Sequence, residues 1–111
     1  MAEIRFRGEW QPLEADTIAK VGGHMGVYQL SSPKDAVVFI GYAGGRSVFG
    51  LRGELSNKLA DNGRRDMWFR YEVTTTYLSR YKELLMVHVA DHGSLPAEND
   101  ANEQLGRLSP T

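Results

Sequence analysis

Cysteine is absent from the chain. Disulfides, thiolate zinc sites and a thiol nucleophile are therefore excluded, and the composition fits a reducing compartment. Long hydrophobic runs are absent too. No apolar stretch approaches the roughly 20 residues of a membrane span, and the N-terminus, Met1-Ala2-Glu3-Ile4-Arg5, lacks the apolar segment of a signal peptide. The expectation is a cytoplasmic protein with no membrane contact. A large charge excess of one sign is also missing. The net charge of −1 excludes a uniformly basic nucleic-acid binder, and no internal repeat is visible.

What is present is one domain's worth of chain. A length of 111 residues supports a core without covalent staples. Charge is distributed unevenly. Residues 46–82 carry Arg46, Arg52, Lys58, Arg64, Arg65, Arg70, Arg80 and Lys82 against Glu54, Asp61, Asp66 and Glu72, a balance of +4. Residues 83–111 balance to −4. A basic middle suits phosphates, and it also suits an ordinary solvated surface.

Periodicity gives an element order. Ile4, Phe6 and Trp10 lie in an opening strand or arm, and Leu13 to Val21 holds one or two helical turns. Met25 to Leu30 reads as a strand. Ala36 to Tyr42 reads as another, and the run Val37-Val38-Phe39-Ile40 predicts a central strand covered on both faces. Ser47 is the expected N-cap of a helix over Val48 to Ala60, with Val48, Leu51, Leu55 and Leu59 on one face. Met67 to Thr76 alternates and predicts a third strand. Thr75 to His92 is the longest helical pattern, with Leu78, Tyr81, Leu84, Leu85 and His88 on one side and Gly93 as its stop. The expected fold class is α+β, an α/β sandwich with a small three-stranded sheet flanked by helices in β-β-α-β-α order. The domain spans 1–99, with a polar tail over 100–111 expected to be flexible.

Five local features fall in one order. Gly26-Val27-Tyr28 is followed after ten residues by Phe39-Ile40-Gly41. Arg52 then stands in Gly50-Leu51-Arg52-Gly53, Glu83 on the long helix, and Pro96-Ala97-Glu98-Asn99 after it. This pattern, over roughly residues 22–99, resembles the GIY-YIG nuclease family. The resemblance implies phosphodiester hydrolysis of nucleic acid, DNA ahead of RNA, with one Mg²⁺ or Mn²⁺. It implies Tyr28 as general base or water-orienting group, Arg52 as the cation beside it, and Glu83 as the protein ligand of the metal. A free phenol has a pKa of about 10, so Tyr28 needs a nearby cation to act at neutral pH. Phe39, Arg46, Lys58 and Asn99 are the accompanying substrate-binding candidates.

The chain departs from the family pattern at three points. Phe39 replaces the usual second tyrosine. Arg52 stands eleven positions after Gly41, a longer gap than the common family spacing, with Gly44-Gly45-Arg46 inserted, so Arg46 competes for the arginine role. The histidine common after the arginine is missing. A second reading is therefore a catalytically inactive GIY-YIG-like module that binds nucleic acid or a protein partner. Residue by residue, plainer readings stand beside these. Tyr28 can be a core tyrosine, Arg52 a helix-surface residue, Glu83 a partner of Arg80 or Lys82, and Asn99 a turn former. Trp68, Phe69 and Tyr71, beside Arg64, Arg65 and Arg70, can stack bases or pack in the core. His88 and His92 share a helix face, but a zinc site needs a third ligand such as Asp91 or His24.

Overall fold

A computed structural model describes Phe6, residues 8–62 and residues 66–99. The elements in chain order are β1 (Gln11–Pro12), α1 (Ala15–Ile18), β2 (Gly26–Ser31), β3 (Val37–Ala43), α2 (Gly50–Asn62), β4 (Trp68–Val73) and α3 (Tyr77–His92). The four strands form one antiparallel sheet in the order β1-β4-β2-β3. Helices cover both faces, so the fold is α+β.

Alternation along β2 divides the core in two. Tyr28 and Leu30 point toward α1 and α2, where they meet Ile18, Leu51, Leu55 and Phe69. Val27 points the other way and packs with Ile40 against Tyr81, Leu84 and Leu85 of α3. Each fully buried side chain of this size contributes about 1.5–3 kcal/mol through burial. On the α3 face, the Arg70 guanidinium lies over the rings of Phe6 and Trp10, at 4.9 and 4.2 Å. Its Nε donates to the buried Gln29 Oε1 at 2.7 Å.

Four details differ from the expectations. The sheet has a fourth strand, since Gln11–Pro12 pairs with Phe69 and Trp68; two residues are too few to carry a period. Second, β2 is the central strand and is buried throughout, whereas β3 lies at the edge. The apolar run of β3 is covered by side chains instead of a further strand. Its free edge is closed by the turn after α3. There the Glu98 N–H donates to the Val38 carbonyl at 2.8 Å. Asn99 Oδ1 accepts from the Ile40 N–H at 3.0 Å, and its Nδ2 donates to the Ile40 carbonyl at 2.9 Å.

Third, α2 begins at Gly50, so Ser47 is not its N-cap. The Ser47 Oγ accepts from the Gly44 N–H at 3.0 Å and closes a turn ahead of the helix. Val48 consequently falls outside the apolar stripe and is 72% exposed. Fourth, Leu78 is exposed while Tyr81, Leu84 and Leu85 are buried. The helix ends as expected at Gly93, whose φ of 81° is left-handed and whose N–H donates to the Val89 carbonyl. Ile4, Arg64, Arg65 and the tail over 100–111 lie outside the described residues.

Candidate functional site: a basic, tyrosine-walled cleft

Gly41 decides where the Tyr28 ring can lie. The two residues are cross-strand partners. A Cβ on Gly41 would come within 2.6 Å of the Tyr28 Cζ and Oη and 2.7 Å of the Phe39 ring. Without it, the phenol ring crosses the neighbouring strand and packs tilted against Phe39 at 5.9 Å between centroids. At Gly26, a Cβ would meet the Glu72 carbonyl at 2.2 Å, so close approach of β2 and β4 requires glycine there. Both tripeptide glycines thus serve close packing, Gly41 beneath the Tyr28 ring and Gly26 against β4.

The Tyr28 side chain reaches the floor of a cleft of about 1070 Å³ that wraps around the edge of β3. Glu54, Asn57 and Lys58 of α2 form one wall, and Tyr77, Leu78, Tyr81 and Lys82 of α3 form the other. The Gly44–Ser47 turn closes one end and brings in Arg46. On the α3 side, the exposed ring of Tyr42 stacks on Tyr77 at 5.7 Å and meets Tyr81 edge-on at 4.9 Å. The Gly45 N–H donates to the Tyr77 hydroxyl at 3.2 Å, which ties the turn to α3. Lys58 Nζ sits 3.8 Å over the Phe39 ring. Arg46 and Lys82 are exposed, and among the described residues neither head group is held in an ion pair. The cleft therefore offers three cations, an aromatic wall and the Glu54 and Glu98 carboxylates.

Tyr28 is 1% exposed, and its phenol pKa is raised well above the ordinary value. Burial is the largest cause, followed by the negative charge of Glu54, then Tyr81 and Asp61. A general base needs the opposite shift, supplied by an adjacent cation.

Arg52 and Glu83 lie elsewhere. On α2 the cleft-facing positions are Glu54, Asn57 and Lys58. Arg52 leaves from another side, toward the loop before β2, with Nη1 3.5 Å from the Val21 carbonyl. It lines a separate groove with Val48, Phe49, Gly53, Ser56 and Asn57. On α3 the Glu83 carboxylate turns toward β4, where Arg80 donates to it at 2.5 Å and to Glu72 Oε2 at 2.9 Å. Burial alone would lower the Arg80 pKa, but the two carboxylates outweigh it and the net shift is upward.

The site thus brings Tyr28, Phe39, Arg46 and Lys58 together, leaves Arg52 and Glu83 on separate flanks, and uses Asn99 to seal the β3 edge. An Mg²⁺ or Mn²⁺ at Glu83 would displace Arg80 from its carboxylate and would lie away from Tyr28, so the residues at that position do not fit the ion. Among the described residues, no three His, Cys, Asp or Glu side chains gather into a metal-binding group. His88 Nδ1 lies 3.0 Å from the Ser94 carbonyl, with the His92 ring at 4.3 Å. Phe69 is fully buried and stacks on Tyr71, which removes it as a base platform.

Residues 4–91 match the model of a domain family described as a domain of unknown function, DUF7508. The chain belongs to that family. The DUF7508 match runs from the opening segment to the last turn of α3 and contains every wall residue of the cleft except Glu98. No curated protein and no solved structure matches the chain.

Glu54, Tyr42, Tyr77, Tyr81 and Lys82 were not among the predicted site residues. A signal for all of these but Tyr42 exists in the three-to-four residue spacing of Glu54-Asn57-Lys58 and of Tyr77-Leu78-Tyr81-Lys82. Each set occupies one side of its helix. In α3 this signal merges with the apolar stripe, because Tyr81 belongs to both.

Proposed function

We propose that this DUF7508 chain is a GIY-YIG-like module that binds nucleic acid, DNA ahead of RNA, along the tyrosine-walled cleft without cleaving it. The observation that carries this reading is the makeup of the cleft. Arg46, Lys58 and Lys82 stand around one hollow beside Tyr42, Tyr77 and Tyr81, while Arg52 and Glu83 face away from it.

Phosphate oxygens are the fitting ligand for this set. Exposed Lys and Arg neutralise phosphates and release condensed counterions. Tyrosine rings add stacking surface and hydroxyl donors. Tyr28 remains a neutral phenol at physiological pH because burial and Glu54 both oppose its ionisation. Its contribution is the packing beneath the cleft floor. The paired tripeptides and the element order support the family likeness, and the dispersed Arg52 and Glu83 favour binding over hydrolysis.

The test is fluorescence anisotropy of labelled single-stranded and duplex DNA, and of matching RNA, across a salt series, with Mg²⁺ or Mn²⁺ present and strand integrity checked on gels. Affinity should fall with salt, and Arg46→Ala and Lys82→Ala should each reduce the salt slope by about one. No binding at low salt to any of these would confine the cleft to protein partners. Metal-dependent cleavage that is lost in Glu83→Gln would restore the hydrolytic reading.

A further inference from the structure

The residues between the Gly44–Ser47 turn and α2 are the most unusual surface of the molecule. Phe49 is 68% exposed and Val48 is 72% exposed. The Phe49 ring belongs to neither core cluster. Phe49 also has a φ of 62°, a left-handed conformation that a bulky side chain rarely adopts and that the surrounding structure must enforce. The enforcement is visible. The Gly50 N–H donates to the Ser47 carbonyl at 3.2 Å, the Leu51 N–H to the His24 carbonyl at 2.9 Å, and the Gly53 N–H to the Phe49 carbonyl at 3.1 Å. A strained backbone therefore holds an aromatic ring in solvent.

The surroundings of this tip bear on its occupant. Arg46 lies on its cleft side and Arg52 on its far side. Beside the ring is the groove of about 430 Å³ that Phe49 shares with Arg52, Ser56 and Asn57. Val48 and Asn57 line both groove and cleft, so the two hollows adjoin. A planar apolar ring, two guanidinium groups, and hydroxyl and amide side chains suit one nucleobase attached to an anionic backbone. The flanking arginines disfavour a second copy of the same tip.

We infer that Val48–Phe49 is a base-stacking tip, which takes an unpaired base of a strand whose backbone lies in the cleft. The base packs on the Phe49 ring, Ser56 and Asn57 offer hydrogen bonds to its edge, and Arg52 meets the adjoining phosphate. This inference rests on the proposed nucleic-acid cleft and deepens it by naming single-stranded or locally unpaired nucleic acid as the substrate class. A base in an intact duplex cannot reach the ring without unstacking, whereas aromatic stacking on free bases tolerates any sequence.

Anisotropy with a single strand and with a duplex of the same length separates the two claims. Wild type should prefer the single strand. Phe49→Gly, which removes the ring and relieves the backbone, should melt no lower than wild type. It should also lose about tenfold in single-strand affinity, with duplex affinity little changed. Phe49→Trp should retain the preference, and 2-aminopurine fluorescence should be quenched by wild type and Phe49→Trp only. Unchanged single-strand binding by Phe49→Gly would overturn the inference, and continued weakening by Arg46→Ala would leave the cleft reading intact. Equal losses on both substrates would also overturn it. So would a dimer in sedimentation that Phe49→Gly abolishes while nucleic-acid affinity stays constant. Absence of any nucleic-acid binding by wild type would overturn both.

Discussion

Tyr28 shows how one residue type serves packing at the expense of chemistry. Its ring is buried against Phe39 and over Gly41, and its proton is held more tightly than in water. The sign of the resulting pH effect follows. The folded-state pKa is raised above an unfolded value of about 10. The contribution to stability is therefore complete below that value and is lost as pH rises beyond it. Wild type should lose stability in chemical denaturation above about pH 10, and Tyr28→Phe should lose less over the same window. Tyr28→Phe should retain DNA affinity, as expected of a residue whose main task is packing. Gly41→Ala should lower stability by about 1–3 kcal/mol, because the new methyl meets the Tyr28 and Phe39 rings on a strand that cannot retreat. Thermal melting checks this. The tripeptides were legible in the sequence because each ends a short apolar run and a turn-like stretch lies between them. The depth of Tyr28 was not, because burial depends on α2 and α3 meeting around the sheet edge.

Among the elements, β3 and α3 carry the most consequence. An edge strand with an apolar run invites pairing with another chain, and here Asn99 occupies the Ile40 N–H and carbonyl. Asn99→Ala should cost about 1–2 kcal/mol by removing two hydrogen bonds, and should increase aggregation measured by light scattering near the melting temperature. On α3, Glu83 belongs to the network with Arg80 and Glu72. Glu83→Gln should therefore leave nucleic-acid affinity unchanged and shift stability by less than about 1 kcal/mol, since the Glu83 side chain is 44% exposed. The helix periods of α2 and α3 were readable from Leu51, Leu55, Leu84 and Leu85. The placement of Val48 and of β3 was not. Val48 is excluded from α2 by the left-handed residues that follow it. The position of β3 is set by β4 taking the opposite side of β2, a long-range choice that leaves no local pattern.

For the whole molecule, a net charge near zero conceals a local arrangement. The +4 balance of residues 46–82 is concentrated in part around the cleft through Arg46, Lys58 and Lys82, whereas Arg52, Arg70 and Arg80 are directed to other surroundings. Linear charge counting finds the basic segment but cannot distinguish these two groups, because the distinction is made by helix phase and strand order. Glu54 faces the same hollow, so Glu54→Gln should strengthen binding by a few-fold at low salt and by less at high salt, as screening grows. The most direct test of the central claim is an NMR titration of the labelled protein with a short single-stranded DNA. The cleft account predicts that amide shifts concentrate at Gly44–Val48, at Asn57–Lys58 and at Tyr77–Lys82. Shifts confined to the far side of α3, around Val87–His92, or no shifts at all at low salt, would contradict it.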